Sequence, residues 1–288
     1  MKKVIYLTII LSLISMYITA QQLQGKVIAP GARKDFKDMI VVDLSSIRIS
    51  YAFNAKKIND PSTYIDLQYL EIGQYLSKYY SSFVFKNDSL VWDWKNRHPS
   101  AQTIPRKIGF LGRMPDYWSE YKYSEYFKNY RSNRLTEYAR MPQQGKIPNS
   151  MYSENIPKQN WKIWNDTLIV SGYLCKKATC HFRGRDFIAW FTMDIPINNG
   201  PWKFGGLPGL ILKVYDSQKL YSFECIKIEK GKFPIMKYSF KNYKQVERSE
   251  LLKLQRKINE NFYQVAGLVP LGSSRAPVTV HYEPLELE

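Results

Sequence analysis

The stretch TLIVSGYLCKKATCHFRGRDFIAWFTM, running from Thr167 to Met193, decides the fold. β-branched and aromatic residues recur in it with the alternation of strands, over Thr167 to Phe182 and again over Phe187 to Met193. The polar Arg183-Gly184-Arg185-Asp186 joins the two as a turn. Toward the C-terminus the pattern repeats in Leu210 to Tyr215, Leu220 to Ile228 and Ile235 to Phe240, with Asp216-Ser217-Gln218 as another short connection. Short turns between neighbours predict antiparallel pairing. The expectation is a mainly β protein with helices, an α+β fold, in which a curved antiparallel sheet forms a half-barrel or a sandwich.

Toward the N-terminus, Ser46 to Asn54 reads as a further strand, and Ser82 to Phe85 with Leu90 to Trp94 reads as a hairpin turning at Lys86-Asn87-Asp88-Ser89. One amphipathic helix is predicted after the meander. From Ser249, Leu251, Leu252, Leu254, Ile258, Phe262 and Val265 fall on one stripe, while Lys253, Arg256, Lys257 and Glu260 take the remainder. Ser249 fits an N-cap and Gly267 a C-terminal stop. Such a helix covers a curved sheet or, alternatively, lies on a membrane surface.

The region 97–157 stands apart through its prolines and a tyrosine-rich stretch, and reads as an insertion or long decorated loop in a single domain. In it Tyr117, Trp118, Tyr121, Tyr123, Tyr126 and Tyr130 interleave with cations that include Arg131 and Arg134. Such a pattern suits a partner surface, and equally suits short helices packed by their rings.

At the N-terminus, Lys2 and Lys3 precede a 15-residue apolar run from Val4 to Ile18, closed by Thr19-Ala20. This is the layout of a cleavable secretion signal, with the mature chain of residues 21–288 beginning at Gln21. The run is shorter than the roughly 20 residues of a spanning helix. Export to the periplasm, with association with the outer membrane as the alternative, is therefore expected, with no integral membrane segment after cleavage. Removal of Lys2 and Lys3 with the signal lowers the formal net charge from +17 to +15. A field of that sign favours anionic partners. For an exported chain with no nucleic-acid-binding motif these are lipid head groups, anionic glycans or an acidic envelope protein, and nucleic acid is excluded.

Three cysteines, Cys175, Cys180 and Cys225, permit one disulfide, with Cys175 and Cys225 the candidate pair and buried free thiols the alternative. The spacing of Cys175, Cys180 and His181 hints at metal, but in a straight strand Cys175 and His181 share a face that Cys180 does not. Neither a metal site nor a cofactor is expected.

The hexapeptide Gly206-Leu207-Pro208-Gly209-Leu210-Ile211 follows Gly200-Pro201-Trp202-Lys203-Phe204. With Trp161-Lys162-Ile163, Gly172-Tyr173-Leu174-Cys175-Lys176-Lys177-Ala178, Phe182-Arg183-Gly184-Arg185, Ala189-Trp190-Phe191-Thr192, Tyr69-Leu70-Glu71-Ile72-Gly73 and Glu283-Pro284-Leu285-Glu286-Leu287, it makes the chain resemble the GLPGLI family of exported bacterial proteins. The resemblance is dense from Trp161 to Cys225 and poor over 97–157. It implies export in two-membrane bacteria and carries over no catalytic residue. More weakly, the strand and hairpin are similar to the fold of periplasmic lipoprotein carriers. Read physically, the hexapeptide is structural: Gly206 and Gly209 allow conformations or approaches that a Cβ obstructs, Pro208 fixes φ, and Leu207, Leu210 and Ile211 enter the core.

Enzymes with a Gly-x-Ser-x-Gly elbow, a His-Glu-x-x-His helix or a nucleotide-binding glycine loop are excluded, and no catalytic residue is assigned. The expected function is a non-catalytic binding or carrier module for an apolar or anionic envelope ligand, with Trp190, Phe191, Tyr221 and Phe223 as cavity lining. The alternative is an accessory protein docking on an outer-membrane or periplasmic partner through the basic, aromatic region 97–157.

Overall fold

The computed structural model describes residues 27–33, 35–105, 108, 117–142, 147–268 and 279–288. The expected secretion signal and the cleavage point before Gln21 lie outside them. Twelve strands form one curved sheet: β1 (Ile40–Phe53), β2 (Asp66–Gly73), β3 (Leu76–Ser81), β4 (Ser124–Asn129), β5 (Arg134–Ala139), β6 (Ser150–Asn155), β7 (Lys162–Val170), β8 (Tyr173–Phe182), β9 (Arg185–Thr192), β10 (Leu210–Asp216), β11 (Ser222–Lys237) and β12 (Lys244–Gln245). Their order is β12-β6-β5-β4-β3-β2-β1-β11-β10-β9-β8-β7. Every pairing is antiparallel except the short one between β12 and β6. The helices are α1 (Ser82–Arg97), α2 (Glu120–Tyr123) and α3 (Arg248–Ala266). The expected α+β class with a curved antiparallel sheet is what forms, and no helix among the described residues is long and apolar enough to cross a membrane.

Several local expectations need correction. Thr167 to Phe182 is two strands, because Ser171 and Gly172 both take positive φ, 49° and 82°, the backbone of a two-residue hairpin turn. Arg183 and Gly184 repeat this device, at 53° and 77°, between β8 and β9. Conversely, the two strands expected over Leu220 to Phe240 are one 16-residue strand, β11, which accommodates Gly231 and Lys232 as a bulge opposite Ser46 of β1. The hairpin expected over Ser82 to Trp94 is the helix α1. Ser81 caps it by accepting from the Val84 amide, and the polar Asn87 and Asp88, which looked like a turn, are buried on the helix face. Asp88 takes both Arg140 and the Arg33 amide, at 2.8 and 3.1 Å.

α3 begins at Arg248 with Glu247 at the N-cap, so Ser249 is not its cap; Gly267 does end it, at φ 64°. Its buried face includes Gln255 and Asn259 beside Leu251, Ile258 and Phe262, and it packs on the β5–β6 end of the sheet with Ala139 and Tyr152.

The largest correction concerns 97–157. It supplies β4, β5 and β6, which continue the sheet from β3 and bury Tyr126, Leu135, Glu137 and Tyr152. It contributes three of the twelve strands, set between β12 and β3, and is no appendage. The largest core cluster joins β1, β2 and β3 to β8 through β11 and takes in Tyr121 and Tyr126 of the same region, and Tyr51 spans it with a 2.7 Å hydrogen bond to the Ile211 carbonyl. The cysteines are all free and buried, so Cys175 and Cys225 are not bonded. Cys175 and Cys180 both face inward while His181 turns out to Asp186, which reverses the expected sharing of faces. Among the described residues no His, Cys, Asp and Glu cluster could hold a metal.

Candidate functional site

The connection from β9 to β10, residues 193–209, is the element that builds the site. Trp202, at φ 52°, Lys203 and Phe204 descend from it into the interior, each at most 3% exposed. Phe204 meets Trp161, Phe182, Phe187, Trp202 and Phe223. The next two residues turn back outward. Gly206 sits at φ 84°, where a side chain is strained, and its amide donates to Asn198 Oδ1. The Gly205 amide donates to Gln159 Oε1 at 3.0 Å, and Trp161 Nε1 donates to the Gly205 carbonyl at 2.7 Å. Gly209 then passes so close to β9 that a Cβ there would stand 2.0 Å from the Thr192 carbonyl oxygen. Leu207, Leu210 and Ile211 are at most 1% exposed, and Pro208 remains on the surface.

Two buried lysines tie this loop to the far half of the sheet. Lys203 donates to Tyr152 Oη at 2.7 Å, lies 3.4 Å from Glu137 and pairs with Glu286 of the C-terminal segment. Glu137 is held from its other side by Ser124 Oγ at 2.8 Å and by Gln255 of α3. Glu286 in turn meets Arg183 and Arg248. Lys128, on the inward face of β4 with Ser124 and Tyr126, donates to Asn199 Oδ1 at 2.9 Å and to the Phe204 carbonyl. Burial without a carboxylate neighbour pushes its pKa down to about 7.

Lys128, Lys203, Gly205 and Gly206 share one wall of a cleft of about 790 Å³. Asn133, Gln159, Asn160 and Asn198 bring amides to it, Ile72, Ile156 and Ile197 bring aliphatic surface, and Lys158 adds a third lysine. No acidic side chain lines it among the described residues. A lining of cations and amides without carboxylates suits an anion with a polar, oxygen-rich body.

The residues singled out by sequence are placed elsewhere. Phe191, Tyr221 and Phe223 are at most 1% exposed inside the large core cluster, with Trp190 packed against it. They fill the interior and line no part of this cleft. Among the aromatic series, Trp118, Tyr121, Tyr123 and Tyr126 are buried, and Trp118 Nε1 donates to the Arg140 carbonyl at 2.7 Å. Tyr117 and Tyr130 are exposed in part, Arg131 stacks 3.5 Å over Tyr75, and Arg134 is spent on the Ser153 carbonyl. They form no joined partner surface. Lys128 was missed because it reads as one more cation among the tyrosines. Its signal was register: it is two residues from Tyr126 and four from Ser124, in phase with the inward positions.

A family model described as a protein of unknown function (Porph_ging) matches residues 181–213, the span from the end of β8 through the hexapeptide to β10. Two solved structures of PNGF-II, in space groups C2 and P21, are similar at 15% and 16% identity, each with a TM-score of 0.46. The likeness covers 75% and 74% of this chain but 34% and 33% of those, so the chain spans about a third of their length. No curated protein matches the chain.

Proposed function

We propose that this chain is an exported, non-catalytic protein of the cell envelope that binds an anionic ligand in the cleft beside Gly205 and Gly206. The observation that carries this reading is the lining: among the described residues, Lys158 and four amides with no carboxylate on the cleft, beside Lys203, which is held from behind by Glu137 and Glu286, and Lys128, whose pKa burial lowers to about 7. The net charge, +17 for the whole chain and +15 without Lys2 and Lys3, supports it by drawing anions toward the surface at moderate ionic strength. An apolar carrier finds less support, because the aromatic side chains that would line its cavity fill the core. Periplasmic residence follows from the N-terminal layout and remains part of the proposal.

The test is equilibrium binding of a sulfated oligosaccharide to the mature chain across a salt series. Lys158→Glu, on the cleft, should weaken binding about tenfold, or about 1.4 kcal/mol. Lys253→Glu, on the exposed side of α3, should change it by less than about twofold. Equal losses in both variants would mean diffuse attraction to a basic surface and would overturn the cleft as the site.

A further inference from the structure

Three lysines are buried in the described part of this chain, and they are not alike. Lys78 pairs with Glu125 at 2.8 Å, and Lys203 lies between Glu137 and Glu286. Lys128, 5% exposed, has no carboxylate partner at all. Its nitrogen is met by two acceptors, Asn199 Oδ1 and the Phe204 carbonyl.

Both acceptors are fixed independently of the lysine. Asn199 Nδ2 donates to Tyr130 Oη at 2.8 Å and to Ser77 Oγ at 3.1 Å, while Oδ1 also accepts from the Gly200 amide at 2.9 Å. These partners settle which end of the amide faces Lys128. The Phe204 carbonyl is oriented by the tight turn in which the Phe204 amide donates to the Pro201 carbonyl at 3.1 Å. A neutral amine carries two N–H donors and one lone pair, so two acceptors use both hydrogens and leave the lone pair free. Among the described residues no carboxylate pairs with an ammonium group there, Lys128 lines the cleft, and burial lowers its pKa to about 7.

We propose that Lys128 is a nucleophilic amine through which the cleft captures a carbonyl-bearing ligand, an aldehyde, as an imine. The nitrogen lone pair forms a bond to the carbonyl carbon, and the carbonyl π pair moves to oxygen. A proton passes from nitrogen to that oxygen to give a carbinolamine. The second N–H proton then passes to the hydroxyl, the carbon–oxygen bond breaks to release water, and the nitrogen lone pair forms the carbon–nitrogen double bond, so nothing is oxidised or reduced. The other charged or titratable groups around the nitrogen are the Tyr130 hydroxyl, held by Asn199, and Lys203, already paired with Glu137 and Glu286. Lys158 lies on the same cleft, where it would favour an aldehyde that also carries an anionic group. That preference, unlike the capture itself, rests on the proposed function.

The experiment is reductive trapping on the intact mature protein with cyanoborohydride, using glyoxylate as an anionic aldehyde and acetaldehyde as a neutral one, followed by peptide mapping. Lys128 should be alkylated ahead of the exposed lysines at neutral pH, at a rate that rises through a pH of about 7. Lys128→Arg should abolish the preferred site, with the wild-type map standing alone if that variant does not fold. Alkylation spread over surface lysines with Lys128 unmodified by either aldehyde would overturn the proposal. Equal trapping by both aldehydes would uphold the reactive amine while removing the anion preference of the cleft.

Discussion

The two ends of the sheet are built on different chemistry. In β7 to β10 the inward positions are mainly apolar: Cys175, Ala178, Phe187, Ala189, Phe191, Leu212 and Val214 are at most 1% exposed, with Arg185 and Asp216 a buried ion pair at the ends of β9 and β10. In β3 to β6 and the segments that pack on them, the interior holds Lys78, Lys128, Glu137, Arg140 and Asp88 among its tyrosines. The first end coheres by removing apolar surface from water, a term that is additive and undirected. The second coheres through paired charges and hydrogen bonds, whose desolvation is offset only where every partner is in place. A buried charge network of that kind is therefore expected to fail more abruptly than an apolar layer when one member is removed.

The most severe way to break the comparison is to delete the polar half. Replacing Tyr117 to Ala139 by a short Gly-Ser linker removes β4 and β5 and leaves Lys203 without Glu137. Cooperative thermal unfolding should be lost altogether. A retained sharp transition, followed by circular dichroism, would show that this region only decorates the β1–β3 and β7–β11 body.

In the apolar half the largest single-residue effect should come from Gly209→Ala. The added Cβ meets the Thr192 carbonyl at 2.0 Å, and that oxygen belongs to the backbone at the end of β9, where no rotamer change relieves the clash. A loss of about 3 to 5 kcal/mol is expected, read from chemical denaturation. A loss below about 1 kcal/mol would mean that the hexapeptide is not held by its backbone approach.

These two predictions mark where sequence reading succeeded and where it stopped. The strands β9 and β10, the end of α3 at Gly267 and the inward leucines of the hexapeptide were legible through local apolar alternation and a left-handed glycine, whereas the turn at Ser171 and Gly172 that separates β7 from β8 reads in sequence as one continuous strand. The strands β4 to β6 were not, because their inward positions include Lys128 and Glu137, which a hydrophobic pattern counts as exposed. The same blindness turned the buried Asn87 and Asp88 of α1 into a turn. The cleft itself arises from residues far apart in sequence, from Ser46 to Gly206, and no local pattern announces it.

A sharper test of the polar half is Glu137→Ala. Its carboxylate takes Ser124, Tyr126, Gln255 and Lys203, so its removal leaves four buried donors to find other partners, with Glu286 alone opposing Lys203 among the carboxylates. The expected cost is about 3 kcal/mol. Glu137→Gln, which keeps an acceptor for Ser124, should recover part of it. If Glu137→Ala proves no worse than an exposed substitution, the contrast between the two halves is not energetic.

The smallest effect, and the most specific, is the pH dependence contributed by Lys128. Its folded pKa is lowered to about 7, whereas the unfolded amine titrates near its ordinary 10.5. Below about pH 7 both states carry the proton, and folding bears the full cost of burying an ammonium group. Between there and 10.5 the unfolded chain binds one proton more than the folded chain, so this group makes stability rise with pH, by up to about 1.4 kcal/mol per pH unit. Lys128→Met abolishes the proton and should remove that slope, so that the variant gains on the wild type as pH falls from 9 toward 7. Carboxylates, tyrosines and cysteines that titrate in both proteins cancel in the difference, which makes paired urea melts the measurement of choice. Parallel stability curves over that range would show that Lys128 stays charged in the folded chain, and the lone pair required for imine capture would then be absent at neutral pH.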